Sequence, residues 1–346
     1  MHTQDSDGTA THDEVIGFGA EVGLDFLLFT DHMTLKSKER YEGYHNTHHT
    51  NVLVIVGYEH NDEPDKNHYL IFDSPRVYDI ALSAREYVAQ CDKDGALGII
   101  AHPDEKRPED GKYPPYQWQD WSIEGYHGIE VWNQMSEWTE RLAETGPLGK
   151  VSLLFSPRKF MIAPPAETLR RWDDANQKRR IVGIAGVDAH AFPFQLGPKK
   201  VVIFPYKVHF RSLQNHIVLA EPLAKDSKTA QRQLLEAIRS CQLYFSNRRR
   251  GDAKGFQFIA TAGANTAISG GTLESHIDSR IYVSAPHRGE IRLIRNGSLI
   301  LKTQSNELEF TPPESGLYRI EVLRDGCGWI YSNHIRIGLP EGICPV

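Results

Sequence analysis

Histidines and carboxylates recur along this chain in a pattern that suits metal chemistry. His2 lies within a few residues of Asp5, Asp7 and the turn residue Gly8, and further along come Asp31-His32, Glu59, His102 and Asp188-Ala189-His190. Together they offer hard oxygen and borderline nitrogen donors with no thiolate, a mixture that suits Zn, Mn or Fe(II). Carboxylates that bridge two ions are the usual way to hold metals a few ångströms apart, so the set implies two to three divalent metal ions. Taken singly, each residue is more often a structural group hydrogen-bonded to backbone. Their co-occurrence carries the metal reading.

Positioning such residues requires strands that end together. Asp25 to Phe29 runs into Thr30-Asp31-His32, Val52 to Val56 into Gly57-Tyr58-Glu59, and Ala96 to Ala101 into His102-Pro103. Gly128-Ile129 precedes Glu130, and Ile181 to Val187 precedes Asp188. Short apolar runs of this kind read as strands buried on both faces, as in a parallel barrel or sheet whose active site gathers at the C-terminal strand ends. Further strands are expected at His68 to Phe72 and Lys200 to Phe204, and helices at Thr11 to Val22, Ser83 to Asp94, Ser136 to Thr145 and Ala166 to Lys178. Thr11 and Glu14 form a capping-box pattern.

A helical pattern from Lys228 to Cys241 leads into the polar stretch Ser246 to Asp252, after which alternating runs such as Arg280 to Val283, Ile291 to Ile294 and Leu317 to Val322 take over. Asn296-Gly297 between two such runs signals a hairpin, and the tail reads as a small antiparallel β-sandwich. The expected division is 1–222 for the metal-binding domain, 223–250 for a helix and linker, and 251–346 for the β domain.

The chain has 346 residues, 40% of them hydrophobic, and a net charge of −6 from 39 basic and 45 acidic residues. That balance argues against a large nucleic-acid footprint, and no apolar run is long enough for a membrane span. The four cysteines, Cys91, Cys241, Cys327 and Cys344, have no CxxC spacing and read as ordinary thiols.

In their order, His2-Thr3-Gln4-Asp5-Ser6-Asp7-Gly8, Thr30-Asp31-His32, Gly57-Tyr58-Glu59, Ala101-His102-Pro103 and Gly186-Val187-Asp188-Ala189-His190 resemble the motifs of the polymerase and histidinol phosphatase (PHP) family of metallohydrolases. The match spans about the first 190 residues, and the β tail is similar to that of the carbaryl-hydrolase-like branch. The resemblance implies an α/β fold, a distorted (β/α)7 TIM-like barrel holding up to three metals. It makes His2, Asp7, His32, Glu59, His102, Asp188 and His190 the ligands, with Glu59 bridging, and adds His68 ahead of its strand. The family's first motif histidine would fall before Met1, and the apolar strand leading into that motif is missing. The natural start is therefore expected upstream, with one metal site weakened and one strand edge exposed. Localisation stays open with it, cytoplasmic by default and secreted or periplasmic if a leader precedes Met1.

Around this set, Asp31, Glu130 and Asn133 are candidates to orient ligating histidines from behind, and Lys106 and Arg107 to meet an anionic substrate. Arg158 and Lys159 are weaker candidates for the same role. His45, His48 and His49 read as a surface segment, and Pro108 to Trp121, with Tyr113, Tyr116, Trp118 and Trp121, as a lid or packed loop. Asp188 or His190 would move protons. The expected activity is hydrolysis of a small phosphate ester or nucleotide through a metal-activated water. Carbamate, amide or ester hydrolysis is the alternative, and a non-catalytic binding module the third reading. The partner is a small, anionic molecule, and oligomeric state is not fixed by the sequence.

Overall fold

A computed structural model of the chain describes residues 1–107, 114–196, 198–202 and 204–339. Two compact units interleave along the sequence. The first takes Met1–Met161, Gly186–Ser212 and Leu223–Gln233, and the second takes Ile162–Ala185, Leu213–Pro222 and the chain from Leu234 onward.

The first unit contains helix α1 (His12–Val22) and strands β1 (Phe26–Phe29), β2 (Gly43–Asn46), β3 (Asn51–Val56), β4 (Tyr58–His60), β5 (Tyr69–Phe72), β6 (Leu97–Ile100) and β7 (Gly128–Asn133). At the start of α1 the Thr11 hydroxyl accepts the Glu14 N–H while the Glu14 carboxylate accepts the Thr11 N–H. That reciprocal cap satisfies two backbone donors the first turn leaves open. Val15, Ile16 and Ala20 fall on one face of the helix and bury in a core with Leu27, Phe29, Val52, Val54 and Val56. Each large apolar side chain buried there contributes roughly 1.5–3 kcal/mol. β1 pairs with β3 in parallel and β2 with β3 antiparallel, while β4, β5 and β6 pair antiparallel in sequence and β6 with β7 in parallel.

This arrangement corrects the expected (β/α)7 TIM-like barrel. Such a barrel needs parallel strands, each followed by a helix, closing on themselves. Here β1 is followed by a four-residue helix, Lys38–Tyr41, and β3 reaches β4 across Gly57 alone. β4 folds back on β5 as an antiparallel pair, and the strands divide between separate sheets. Among the described residues there are eight α-helices against twenty strands, most of them in antiparallel pairs. The physical reason is burial. β5 and β6 are buried along their whole length, so their apolar runs look the same whether the neighbouring strand is parallel or antiparallel.

In the second unit the expected small sandwich is likewise replaced by one ten-stranded hydrogen-bonded network. Its main path runs Leu213–Ile217, Leu243–Asn247, Cys327–Ser332, Gly316–Arg324, Ser279–Arg295, Gln257–Ala262 and Asn265–Ile268. It thus recruits two strands from before residue 251. Ser279–Arg295 and Ser298–Phe310 form a hairpin around Asn296 and Gly297, both at positive φ. The core holds Ile281, Val283, Ile291, Leu293, Ile320 and Trp329 among others. Asn333 grips both peptide groups of Gly183, donating to its carbonyl at 2.9 Å and accepting its N–H at 2.8 Å, and Asn215 does the same for Ala185. Two side-chain amides thus stand in for a neighbouring strand along Val182–Gly186, the segment leading to Asp188.

Among the described residues no helix is long and apolar enough to cross a membrane. Cys91, Cys241 and Cys327 are buried. Cys344 lies outside the described residues.

Candidate metal centre

Three overlapping groups of donors gather in the first unit. His2, Asp7, His32 and His190 form one, Glu59, His68 and His102 a second, and His2, Glu59 and Asp188 a third, with the ligand atoms of each group within 4.8 Å of one another. Glu59, 2% exposed, joins two of the groups. Its Oε1 faces His68 Nδ1 at 2.6 Å and His102 Nε2 at 3.1 Å, while its Oε2 faces His2 Nε2 at 3.3 Å. Asp188 Oδ1 approaches the same His2 nitrogen at 3.1 Å. The His2 ring lies against those of both His32 and His190, with centroids 4.4 and 4.2 Å away.

Local backbone explains how distant residues arrive there. The loop from Met1 to Gly8 is folded onto Asp31, which accepts the Thr3 N–H at 2.6 Å, the Thr3 hydroxyl at 2.8 Å and the Ser6 hydroxyl at 2.7 Å. A side chain on Gly8 would strike the backbone of His2, so the tight turn that brings Asp7 near His2 requires glycine. A side chain at Gly186 would likewise collide with the Glu130 carboxyl. His102 and Asp188 both take left-handed backbone conformations, with φ of 57° and 48°. Each costs on the order of 1–2 kcal/mol, which the surrounding structure must supply.

The electrostatics ask for cations. Burial would raise the pKa of Glu59, but the His32 charge and hydrogen bonds from His102, His2 and His68 outweigh it and hold the carboxyl well below its usual range. Asp188 is held down in the same way, burial being overcome by the His190 charge and the His2 hydrogen bond. Burial opposes protonation of His2, yet Asp188 and Glu59 carry its pKa up to about 9. His102 rises to about 10 against its own burial, through Glu105 and Glu59. Divalent ions bound here would compete with protons for these imidazoles, so metal affinity would fall as pH is lowered.

Orphaned nitrogens agree with that fit. His2 Nδ1 and His102 Nδ1 are buried without a hydrogen-bond partner, which is costly for a polar atom. His190 Nδ1–H donates to the Asp188 carbonyl at 2.9 Å, which leaves the lone pair of a neutral ring on Nε2, 3.2 Å from Asp7 Oδ1. A lone pair facing a carboxylate wants a cation between them.

All eight expected ligands, His2, Asp7, His32, Glu59, His68, His102, Asp188 and His190, thus meet in these groups. Asp31 is in none of these three groups; it pins the loop that carries His2 and Asp7. Glu130 is buried and accepts a hydrogen bond from Asn133 Nδ2 at 2.9 Å, and burial pushes its carboxyl up to about 7. Asn133 also caps the helix Gln134–Glu144 by accepting the Ser136 N–H. Lys106 is exposed, and its backbone N–H binds Glu140. Arg107 donates to the buried Glu105 at 2.5 Å and lies over the Tyr116 ring, which in turn stacks on His68 at 4.6 Å. Arg158 is engaged with the Arg211 carbonyl. His45 is tied to the Tyr41 carbonyl, and His48 and His49 are exposed. Of the expected lid, residues 108–113, Tyr113 included, lie outside the described residues.

Sequence reasoning missed several neighbours. Asp5, His12 and Asp31 form a fourth group, but Asp31 is already occupied by Thr3 and Ser6, and Lys36 pairs with Asp5 at 3.3 Å. Asn61 and Asp65 contact His32 and His68. Asn61 stands two residues after Glu59, and the period-two rule for extended chain was the signal available. Tyr116 was named only as part of a loop. Comparison with known proteins adds no relative: no family model matches the chain, and no curated protein matches it.

Proposed function

We propose that the chain is a metal-dependent hydrolase, with a small phosphate ester or nucleotide as its leading substrate class. The observation that carries the reading is Glu59, whose two oxygens face separate sets of imidazoles, as a carboxylate bridging two ions would. The likeness of the motif order to PHP metallohydrolases forms part of the proposal. His2, Asp7, His32 and His190 would hold one ion, and Glu59 with His68 and His102 another. Asp188 with His2 and Glu59 would complete a third position between them.

Bound divalent ions would supply Lewis-acid polarisation of a substrate oxygen and a more acidic attacking water. The chain's own residues do the rest. Asp188 or His190, both beside His2, would take up the proton released on attack. Tyr116, stacked on His68, forms an apolar wall that excludes water from one side.

Carbamate or carboxylic ester hydrolysis is a second reading, and one contact favours it. The Arg107 charge is already met by Glu105, so the expected anion anchor is partly spent, and the wall beside His68 is aromatic. Elemental analysis of purified protein, paired with turnover of p-nitrophenyl phosphate and of a p-nitrophenyl carbamate or acetate, tests both. Two or more transition-metal ions per chain with phosphate turnover is the expected result. Carbamate or acetate turnover alone promotes the second reading, and absence of metal and of turnover overturns both.

A further inference from the structure

His32 and His68 stand in different donor groups, yet one pair of side chains reaches both. His32 Nδ1–H donates to Asn61 Oδ1 at 2.8 Å. Asn61 Nδ2 lies 2.7 Å from Asp65 Oδ1, to which it donates, and 2.9 Å from His68 Nε2. His68 Nε2 is itself 3.1 Å from the same Asp65 oxygen, while its Nδ1 faces Glu59. The backbone is shaped to deliver that oxygen. Asp65 takes a left-handed conformation, φ 53°, in a turn closed by its N–H to the Asp62 carbonyl and braced by the Asp62 carboxylate on Lys66 and Asn67. Asp and Asn tolerate that conformation better than most residues.

From this geometry we infer that Asn61 and Asp65 are positioning residues that hold the rings of two metal ligands at once, Asn61 also fixing the tautomer of His32. With its proton fixed on Nδ1 by Asn61, His32 presents the Nε2 lone pair toward Asp7. Held at Nε2 between Asn61 and Asp65, His68 presents Nδ1 toward Glu59. A partner on the far ring nitrogen fixes orientation and raises the basicity of a ligating imidazole. Because the amide of Asn61 donates to the carboxylate that holds His68, the two groups are ordered together, and filling one favours filling the other. The inference rests on the proposed metal centre for its consequence, but the hydrogen bonds themselves exist without metal.

The test uses full-length protein with 15N-labelled histidine, comparing the wild type with Asn61→Leu, Asn61→Asp and Asp65→Gly after each variant is shown to be folded. Two-bond 15N–1H spectra near neutral pH should place the His32 proton on Nδ1 in the wild type and in Asn61→Asp, which keeps the acceptor. In Asn61→Leu the ring should become a tautomer mixture. Zinc titration should show affinity reduced about 10- to 100-fold in Asn61→Leu at both groups, and substantially restored in Asn61→Asp at the His32 group. Asp65→Gly, which accepts the positive φ, should weaken the His68 group and spare the His32 tautomer. An unchanged His32 tautomer in Asn61→Leu, with zinc affinity within about twofold of wild type, overturns the assignment. A wild type that takes up no zinc but shows the Nδ1 proton and its loss in Asn61→Leu overturns the metal reading instead and upholds the role of Asn61.

Discussion

Asp31 accepts two hydrogen bonds from Thr3, one from its backbone N–H at 2.6 Å and one from its hydroxyl at 2.8 Å. That pair, with the Ser6 hydroxyl, pins the loop carrying His2 and Asp7 onto Asp31. Replacing Asp31 with Ala leaves the buried Thr3 donors unmet and should cost about 2–4 kcal/mol in urea unfolding. Thr3→Val, which removes only the hydroxyl, should cost about 1 kcal/mol. Equal stability of Asp31→Ala and wild type would show the loop to be held by other contacts.

Glu59→Gln keeps shape and removes the charge shared by two donor groups. Metal content should fall by at least one ion per chain. Any phosphatase or esterase activity should drop by about 100-fold or more, since a lost bridging charge weakens every ion it touches. Elemental analysis beside steady-state rates would check this, and retention of full metal content would refute the bridging role.

Tyr116→Ala opens the wall beside His68 without removing a ligand. Metal content should be unchanged, while KM for an aromatic carbamate or ester should rise about tenfold through loss of stacking and apolar contact. A fall in kcat alone, with KM fixed, would place Tyr116 elsewhere in the reaction.

The second unit has its own buried ionic knot. Asp173 accepts two bonds from Arg319, at 2.7 and 2.8 Å, and faces His334 Nε2 at 2.7 Å. Burial would raise the Asp173 pKa, but Arg319 and His334 overcome it and hold the carboxyl far below the usual range. A depressed folded pKa gives stability that is present above the unfolded value of about 3.9 and lost as pH falls through the folded value. Asp173→Asn should therefore cost about 1.5–3 kcal/mol near neutral pH, since Arg319 loses the charge of its Asp173 partner and keeps Glu321. The gap to wild type should narrow as the pH is lowered from about 5 toward 2. A gap that stays constant over that range would mean Asp173 is not the titrating group.

Much of the local structure could be read in the sequence, because it depends on near neighbours. Helices Ala84–Lys93 and Ala166–Lys178 lie within a residue of where periodicity and caps put them, and Thr11 and Glu14 cap α1 as their spacing demands. His32, Glu59, His102 and Asp188 converge because each closes an apolar run, whereas His2, Asp7 and His68 arrive on loops. What the sequence did not reveal was which strands face which. The antiparallel return from β4 to β5 and the strand-like grip of Asn215 and Asn333 on Val182–Gly186 are long-range choices. Nothing in a fully buried four-residue run encodes its neighbour's direction. Asn61 and Asp65 escaped notice because a polar residue in a turn carries no mark of its distant partner.

His2 reaches Asp188 across 186 residues, and the intervening segment Ile162–Ala185 belongs to the other unit. During synthesis the first donors therefore leave the ribosome long before the last, and the donor set is incomplete until the chain has been made past His190. Closing so long a loop favours slow, late consolidation over early nucleation at the site. A shortened chain ending before Asp188 would keep most of the donors yet carry an unfinished centre.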